Sequence, residues 1–107
     1  MGRNSQENDQ VTFHLANPGD IWLHAHGVPG SHVILRSSNA ISDEALIFAA
    51  ELAAFYSGAQ EANRVQVDFC ERRYVKHMPG GKPGMVTYSH EQTLLVEPQD
   101  HLQDENL

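Results

Sequence analysis

The sequence predicts an α+β domain: one mostly antiparallel or mixed sheet with a single long alanine-rich helix packed on it. Three observations predict it. Short apolar runs at 21–25, 33–36 and 65–69 read as half-buried strands. The stretch 43–59 repeats apolar residues at three- and four-residue steps, as one face of a helix does. Proline and glycine turns separate the runs.

Val11-Thr12-Phe13-His14-Leu15 alternates apolar and polar and is expected as the first strand. Asn17-Pro18-Gly19-Asp20 is a turn, with proline fixing φ and glycine permitting φ > 0. Ile21 to Ala25 is the second strand, the Gly27 to Ser31 segment a loop, and Val33 to Arg36 a third strand. Trp22 and His24 then share one face of the second strand, and Ile21 and Leu23 the other. That places Trp22 at the edge of the histidine surface, partly exposed, unless a covering helix makes it a core anchor. Ser42 offers an N-cap, and Asp43 and Glu44 suit the positive end of the helix dipole. Ala45, Phe48, Leu52, Phe55 and Ala59 define an apolar helix face, widened by Leu46, Ala49, Ala50 and Ala53. Val65, Val67 and Phe69 alternate again as a strand. Met85 to Tyr88 and Thr93 to Val96 are expected as a closing hairpin around residues 89–92. Residues 99–107 are expected as a disordered acidic tail beyond a domain at 1–98.

With 107 residues the chain can bury one core. No run approaches the apolar length of a membrane span, and the polar start does not read as a signal peptide. The lone Cys70 cannot form an internal disulfide and fits a reducing compartment. A net charge of −7 argues against a nucleic-acid partner at first sight. The acid is concentrated at the C-terminus, however, in Glu97, Asp100, Asp104 and Glu105. Within 64–82, Arg64, Arg72, Arg73, Lys76 and Lys82 face only Asp68 and Glu71, so a local basic strip competes with an ordinary solvated strand face.

The densest chemistry is in Asp20-Ile21-Trp22-Leu23-His24-Ala25-His26-Gly27-Val28-Pro29-Gly30-Ser31-His32-Val33. His24 and His26, two apart on a strand, could share a zinc with His32, and Asp20 could orient a ligand. The spacing matches no specific metal motif, so hydrogen-bonded histidines fixing a loop are the favoured reading, with no metal or other cofactor. Adjacent Ser31 and His32 diverge on an extended chain, and no Gly-x-Ser-x-Gly elbow occurs, so no catalytic residue is assigned and no enzyme is expected. Gly80-Gly81-Lys82-Pro83-Gly84 could offer amides and one ammonium to a phosphate, but it is not a Walker A loop. Trp22, Tyr74 and Tyr88 are planar groups that could stack on bases, although core packing is the commoner use of each.

The histidine run resembles the signature of the NFACT-R domain, the RNA-binding module of NFACT proteins, which older annotation calls fibronectin-binding. Gly2-Arg3-Asn4, Asn8-Asp9 and Val11-Thr12 are similar to the family's opening. Ala49-Ala50, Ala53-Ala54 and Tyr56-Ser57 resemble its alanine-rich helix ending in Tyr-Ser. Val67-Asp68, Val75-Lys76 and Gly81-Lys82-Pro83-Gly84-Met85-Val86 resemble its basic strand and Gly-x-Lys-Pro-Gly turn. His26 and His77 stand where the family often has lysine, which lowers the basic charge. Met1 stands where an apolar strand usually leads into Gly-Arg-Asn, so a domain cut from a longer protein, or a free-standing minimal version, is expected.

The resemblance implies a cytoplasmic RNA-binding domain, monomeric in isolation and without a membrane partner. Its parent would be a ribosome-associated quality-control factor of the RqcH-like kind. Such a factor binds large subunits carrying stalled peptidyl-tRNA and recruits alanyl-tRNA for C-terminal tailing of the nascent chain. The implied partners are tRNA and large-subunit ribosomal RNA. Phosphate candidates are Arg3, Arg36, Arg72, Arg73, Lys76 and Lys82; Asn4, Asp20, Trp22, His24, His26, Ser31 and His32 complete the expected RNA site. The alternatives are an RNA-modification-associated module with a histidine metal site, and a protein-binding, fibronectin-type adhesin module.

Overall fold

Asn4 sets the first element. Its side chain accepts the Glu7 N–H at 2.8 Å, and Glu7 reaches back to the N–H of Arg3, the residue before the cap, at 3.2 Å. Helix α1 (Ser5–Gln10) starts there and continues as a wider π-helical turn, Val11–Leu15. This corrects the expected first strand: a capped helix start upstream overrides the local alternation. The computed structural model describes residues 1–37 and 40–102. The remaining elements are β1 (Ile21–Ala25), β2 (Val33–Leu35), α2 (Asp43–Phe55), β3 (Val65–Glu71), a short 3-10 turn Arg72–Tyr74, β4 (Val75–His77), β5 (Val86–Tyr88) and β6 (Gln92–Val96).

The class is α+β and the strand pairing antiparallel, but there are two sheets where one was expected. Four strands pair in the order β2-β1-β3-β6, and β4 pairs with β5 separately. The expected closing hairpin is therefore overturned. β5 pairs with β4 (Val75 opposite Tyr88), whereas β6 pairs with β3 (Val65 opposite Val96). The chain crosses between layers at His90, whose φ is 60°.

Helix α2 starts where expected: Ser42 Oγ accepts the Ala45 N–H at 3.1 Å. At 13 residues it is shorter than the long helix expected, with Tyr56 as its C-cap. Its buried face is Ala49, Ala50, Leu52, Ala53 and Ala54, small enough to bring the helix close to the sheet. Phe48, expected on that face, is 49% exposed and stacks on His101 at 4.0 Å. Of the expected tail, residues 99–102 lie on the helix: Gln99 N–H donates to Glu51 O, and Tyr56 Oη donates to Asp100. Residues 103–107 lie outside the described residues.

Both faces of the large sheet are covered. On the Leu23, Ala25, Val65 and Val67 side lies α2. On the other, Trp22 and Cys70 pack against Val75, with Phe13, Val86 and Tyr88 around them. Trp22 is 0% exposed, so the expectation of a partly exposed indole is overturned. It is a core anchor, covered by the second sheet and the N-terminal turn rather than by the helix.

Candidate nucleic-acid interface

The Asp20–Val33 run separates in space. Asp20 sits beyond the start of β1 as a loop clasp: its carboxylate accepts the Asn17 N–H at 2.8 Å and the Ser37 N–H at 3.0 Å. Burial alone would raise its pKa, but those two amides outweigh burial and hold it below the ordinary carboxylate value. Asp20 is thus no partner of the histidines. The residues expected with it gather at the same end. Arg72 Nε donates to the Thr12 carbonyl at 2.7 Å and its guanidinium lies over Phe13. Arg73 pairs with Glu71, and Arg36 reaches the Leu15 carbonyl at 3.5 Å. The expected basic strip is broken, because Arg64 precedes β3 and Arg72 follows it, roughly 26 Å apart along an extended strand.

At the other end of β1 the loop Gly27–Ser31 turns back over the sheet. The family-like N-terminal residues brace it. Asn8 accepts the His32 N–H at 2.9 Å and donates to Gly30 O at 3.2 Å. Gly2 packs so closely on Asn8 that a Cβ would overlap it. Two clefts flank this loop and meet at Pro29.

The first, of about 450 Å³, is polar and brings together Arg3, Asn4 and Ser31 of the expected site, with Tyr56, Ser57 and Gln60. The Arg3 guanidinium lies 4.7 Å from the Tyr56 ring centre. Arg3 and Asn4 are exposed; Ser31 is buried and its N–H donates to the Tyr56 carbonyl at 2.9 Å.

The second cleft, of about 530 Å³, has Trp22, His24, His32 and Tyr88 on its inner side. Val28 and Pro29 form one lip; Met78, Gly84, Met85 and Val86 form the other. The inner rings contact one another. His24 lies parallel to the indole at 5.6 Å, Tyr88 is tilted at 4.7 Å, and His32 meets it edge-on at 5.3 Å. The outer lip is a tight loop, with Gly81 N–H donating to Met78 O and Met85 N–H to Lys82 O. Gly84 makes it possible: its φ is +81°, and it sits against the Ser5 backbone with its N–H on Asp9. Lys82 is exposed in this loop, and Lys76 is exposed on β4 before it.

The three histidines are not shifted alike: two are lowered and one is raised. Burial and the neighbouring His24 push His32 down to about 4. Burial likewise lowers His24, against the pull of the Ala25 and Gly30 carbonyls. His26 is raised, because its Nδ1 lies 2.7 Å from the buried Asp68 carboxylate. Each Nδ1 is engaged: His24 with Ala25 O, His26 with Asp68, His32 with Thr12 Oγ1 at 2.9 Å. Among the described residues no group of three or more His, Cys, Asp or Glu side chains could hold a metal ion.

Asp68 is the residue that sequence reasoning missed. It is 1% exposed and accepts from Tyr88 Oη at 2.5 Å, His26 at 2.7 Å and Thr93 Oγ1 at 2.8 Å. Burial alone would raise its pKa; those donors outweigh burial and hold it low. Burial and the Asp68 carboxylate push Tyr88 well above an ordinary phenol. Asp68 thus links the histidine loop, both sheets and the cleft wall. Its signal was a charged residue in the otherwise core-like run Val65–Cys70. Met78 and Met85 were also unmarked as site residues.

Comparisons with known proteins bear on the family and the fold. The family profile described as "NFACT protein RNA binding domain" matches residues 1–90. The chain is similar to the Rqc2 homolog RqcH of Streptococcus suis, at 45% identity over 94% of this chain and 18% of that protein. The Rqc2 homolog RqcH of Bacillus subtilis is 41% identical over 92% of this chain and 17% of that protein. The chain therefore spans less than a fifth of the length of these relatives. Its fold is similar to a solved structure of the C-terminal part of the fibronectin/fibrinogen-binding protein from Streptococcus suis. That comparison has a TM-score of 0.87 and 45% identity, and it covers 92% of this chain and 40% of that one. With most of its length matched by the profile and its relatives above 40% identity, this chain belongs to the NFACT RNA-binding domain family.

Proposed function

We propose that the domain binds RNA for a ribosome quality-control factor of the RqcH type, holding tRNA and large-subunit ribosomal RNA on a ribosome with a stalled peptidyl-tRNA. The family match over residues 1–90 is the observation that carries the reading. The chemistry of the two clefts supports it. Arg3 and Asn4 edge a polar groove suited to sugar and phosphate. His26, whose pKa the Asp68 carboxylate raises, lies beside the second cleft, and exposed Lys82 sits in the loop that forms its outer lip. These are few cations on a net-acidic chain, so affinity is weak alone and rises when the parent's other domains bind the same particle. In this role the domain is a cytoplasmic, non-catalytic monomer that positions charged tRNA, alanyl-tRNA in bacteria, while the ribosome supplies the chemistry. Among the described residues no helix is long and apolar enough to cross a membrane.

A second reading, protein binding, is favoured by the name of the structural relative, a fibronectin/fibrinogen-binding protein. The test is a side-by-side titration of the folded domain with tRNA, ribosomal RNA fragments and fibronectin, following amide chemical shifts. Shifts confined to the loops Gly27–His32 and Met78–Met85 and to Arg3–Asn4, produced by RNA alone, are the expected result. Shifts from fibronectin alone would favour the second reading.

A further inference from the structure

The acidic stretch that follows β6 is fastened to the domain. Gln99 N–H donates to the Glu51 carbonyl at 3.3 Å, and Tyr56 Oη donates to an Asp100 carboxylate oxygen at 2.8 Å. His101 pairs with Glu51 at 2.9 Å and stacks on Phe48 at 4.0 Å. These contacts join residues far apart in sequence, so the segment is held by tertiary structure rather than by local turns.

Where it is held matters. Tyr56 caps α2 and lines the polar cleft beside Arg3 and Asn4. The Arg3 guanidinium lies over the Tyr56 ring, 4.7 Å from its centre, while Asp100 takes the hydroxyl of the same ring. Both charges are felt there: the hydrogen bond to Asp100, burial and the Asp100 charge raise the Tyr56 pKa, and the Arg3 charge opposes them. Charges on the face and at the tip of one tyrosine lie within about a Debye length of each other, about 10 Å at 0.1 M salt. The field of the carboxylate therefore reaches the groove.

Neither charge is cancelled locally. Arg3 is the only charged residue lining this cleft, and none of the ion pairs among the described residues uses it or Asp100. A phenol is a neutral donor, so Asp100 keeps its full charge at Tyr56. Glu51, by contrast, is paired with His101. Glu7, the other acid near Arg3, is held at the α1 cap by the Asn4 amide at 3.1 Å and the Arg3 N–H at 3.2 Å. A phosphate approaching Arg3 thus meets a fixed negative charge beside the one cation of the groove.

We propose that Asp100 is an electrostatic brake on the polar groove: docked on Tyr56, it lowers the affinity of the Arg3 side of the groove for RNA phosphate, and removing its charge or lifting it from Tyr56 raises that affinity. This rests on the RNA-binding reading and adds an autoinhibitory contact to it.

The test is the affinity of the domain for tRNA, read by fluorescence anisotropy at low and at high salt. Asp100→Asn keeps an oxygen for the Tyr56 hydroxyl and removes the charge. It should tighten tRNA binding roughly two- to fivefold at low salt, and the gain should fade at high salt. Where Asp100→Asn fails to fold, Tyr56→Phe takes its place, since it keeps the ring under Arg3 and drops the hydroxyl that holds Asp100. Asp43→Asn is the control. It makes the same change in net charge at an exposed position in the first turn of α2, about 20 Å from Tyr56 along the helix, and should give a clearly smaller gain. In Arg3→Ala, which should bind more weakly, Asp100→Asn should add no more than Asp43→Asn does. Equal gains from Asp100→Asn and Asp43→Asn overturn the inference, and so does a full Asp100→Asn gain in the Arg3→Ala background; either result leaves the RNA reading standing. No tRNA binding at low salt by the parent or by Asp100→Asn overturns both.

Discussion

Replacing Asp68 with asparagine keeps its shape and removes its charge. Oδ2 of Asp68 receives both Tyr88 and His26, and Oδ1 receives Thr93. An amide has one oxygen, so at least one of these three donors loses its acceptor in Asp68→Asn. The hydrogen bonds to Tyr88 and Thr93 fall from charged to neutral strength, at about 1 kcal/mol each, and a part-buried donor left unpaired adds about 1–3 kcal/mol. His26 is 58% exposed in its side chain, so solvent screens its share and it is left out of the sum. The total is about 3–5 kcal/mol, a large part of the roughly 5–15 kcal/mol that holds a domain of this size. Urea unfolding followed by Trp22 emission measures it, since Tyr88 lies 4.7 Å from the indole. In a double-mutant cycle, Tyr88→Phe should cost about 1–2 kcal/mol in the parent and clearly less beside Asp68→Asn. Asp68→Asn within 0.5 kcal/mol of the parent, or strict additivity with Tyr88→Phe, would refute the hub role.

His32 fixes a pH dependence. Its folded pKa is about 4, below the ordinary 6.5, so the unfolded chain binds the proton first. Stability is therefore intact above pH 6.5 and falls as pH drops toward 4, by about 3 kcal/mol from this group. His32→Gln should flatten that part of a melting-temperature profile. His26 runs the other way: its raised pKa gives a contribution that is full below pH 6.5 and lost as pH rises through the folded value, seen as an imidazole titration displaced upward in NMR. Gly84→Ala should destabilise by about 1–3 kcal/mol in urea, because its φ of +81° and the Ser5 backbone both resist a Cβ. Cys70 is buried and its thiol is pushed up to about 11, chiefly by burial, so native protein should react with a thiol reagent far more slowly than unfolded protein.

What the sequence made legible is what local chemistry controls. β1 and β3 follow from alternation, and α2 from Ser42, the acidic first turn and its apolar period. What it hid depends on long-range layering. Val86 and Tyr88 carry a strand pattern as clear as that of Leu94 and Val96, but the first pair packs against Trp22 and the second against α2. No local signal says that two neighbouring runs serve opposite faces of one sheet. The same second layer makes Asp68 a buried acceptor and seals the indole of Trp22. For the site, Trp22, His24 and His32 were legible as a cluster, and Arg3, Asn4 and Ser31 do share a cleft. Arg36, Arg72 and Arg73 share the far end of β1 with Asp20 and are tied to the backbone or to Glu71 there.

The most direct measurement of the RNA-binding account is the affinity of the domain for tRNA and a large-subunit ribosomal RNA fragment as a function of salt. With exposed Arg3, Lys76 and Lys82 and the His26 imidazole, whose pKa Asp68 raises, as its contacts, the log–log slope should correspond to about two to four phosphates, and binding should be weak at physiological salt. Lys76→Ala with Lys82→Ala should reduce that slope by about one to two, while Arg72→Ala should act mainly on stability through its bond to the Thr12 carbonyl. Tight tRNA binding indifferent to salt, or a slope unchanged by removing both lysines, would contradict the account.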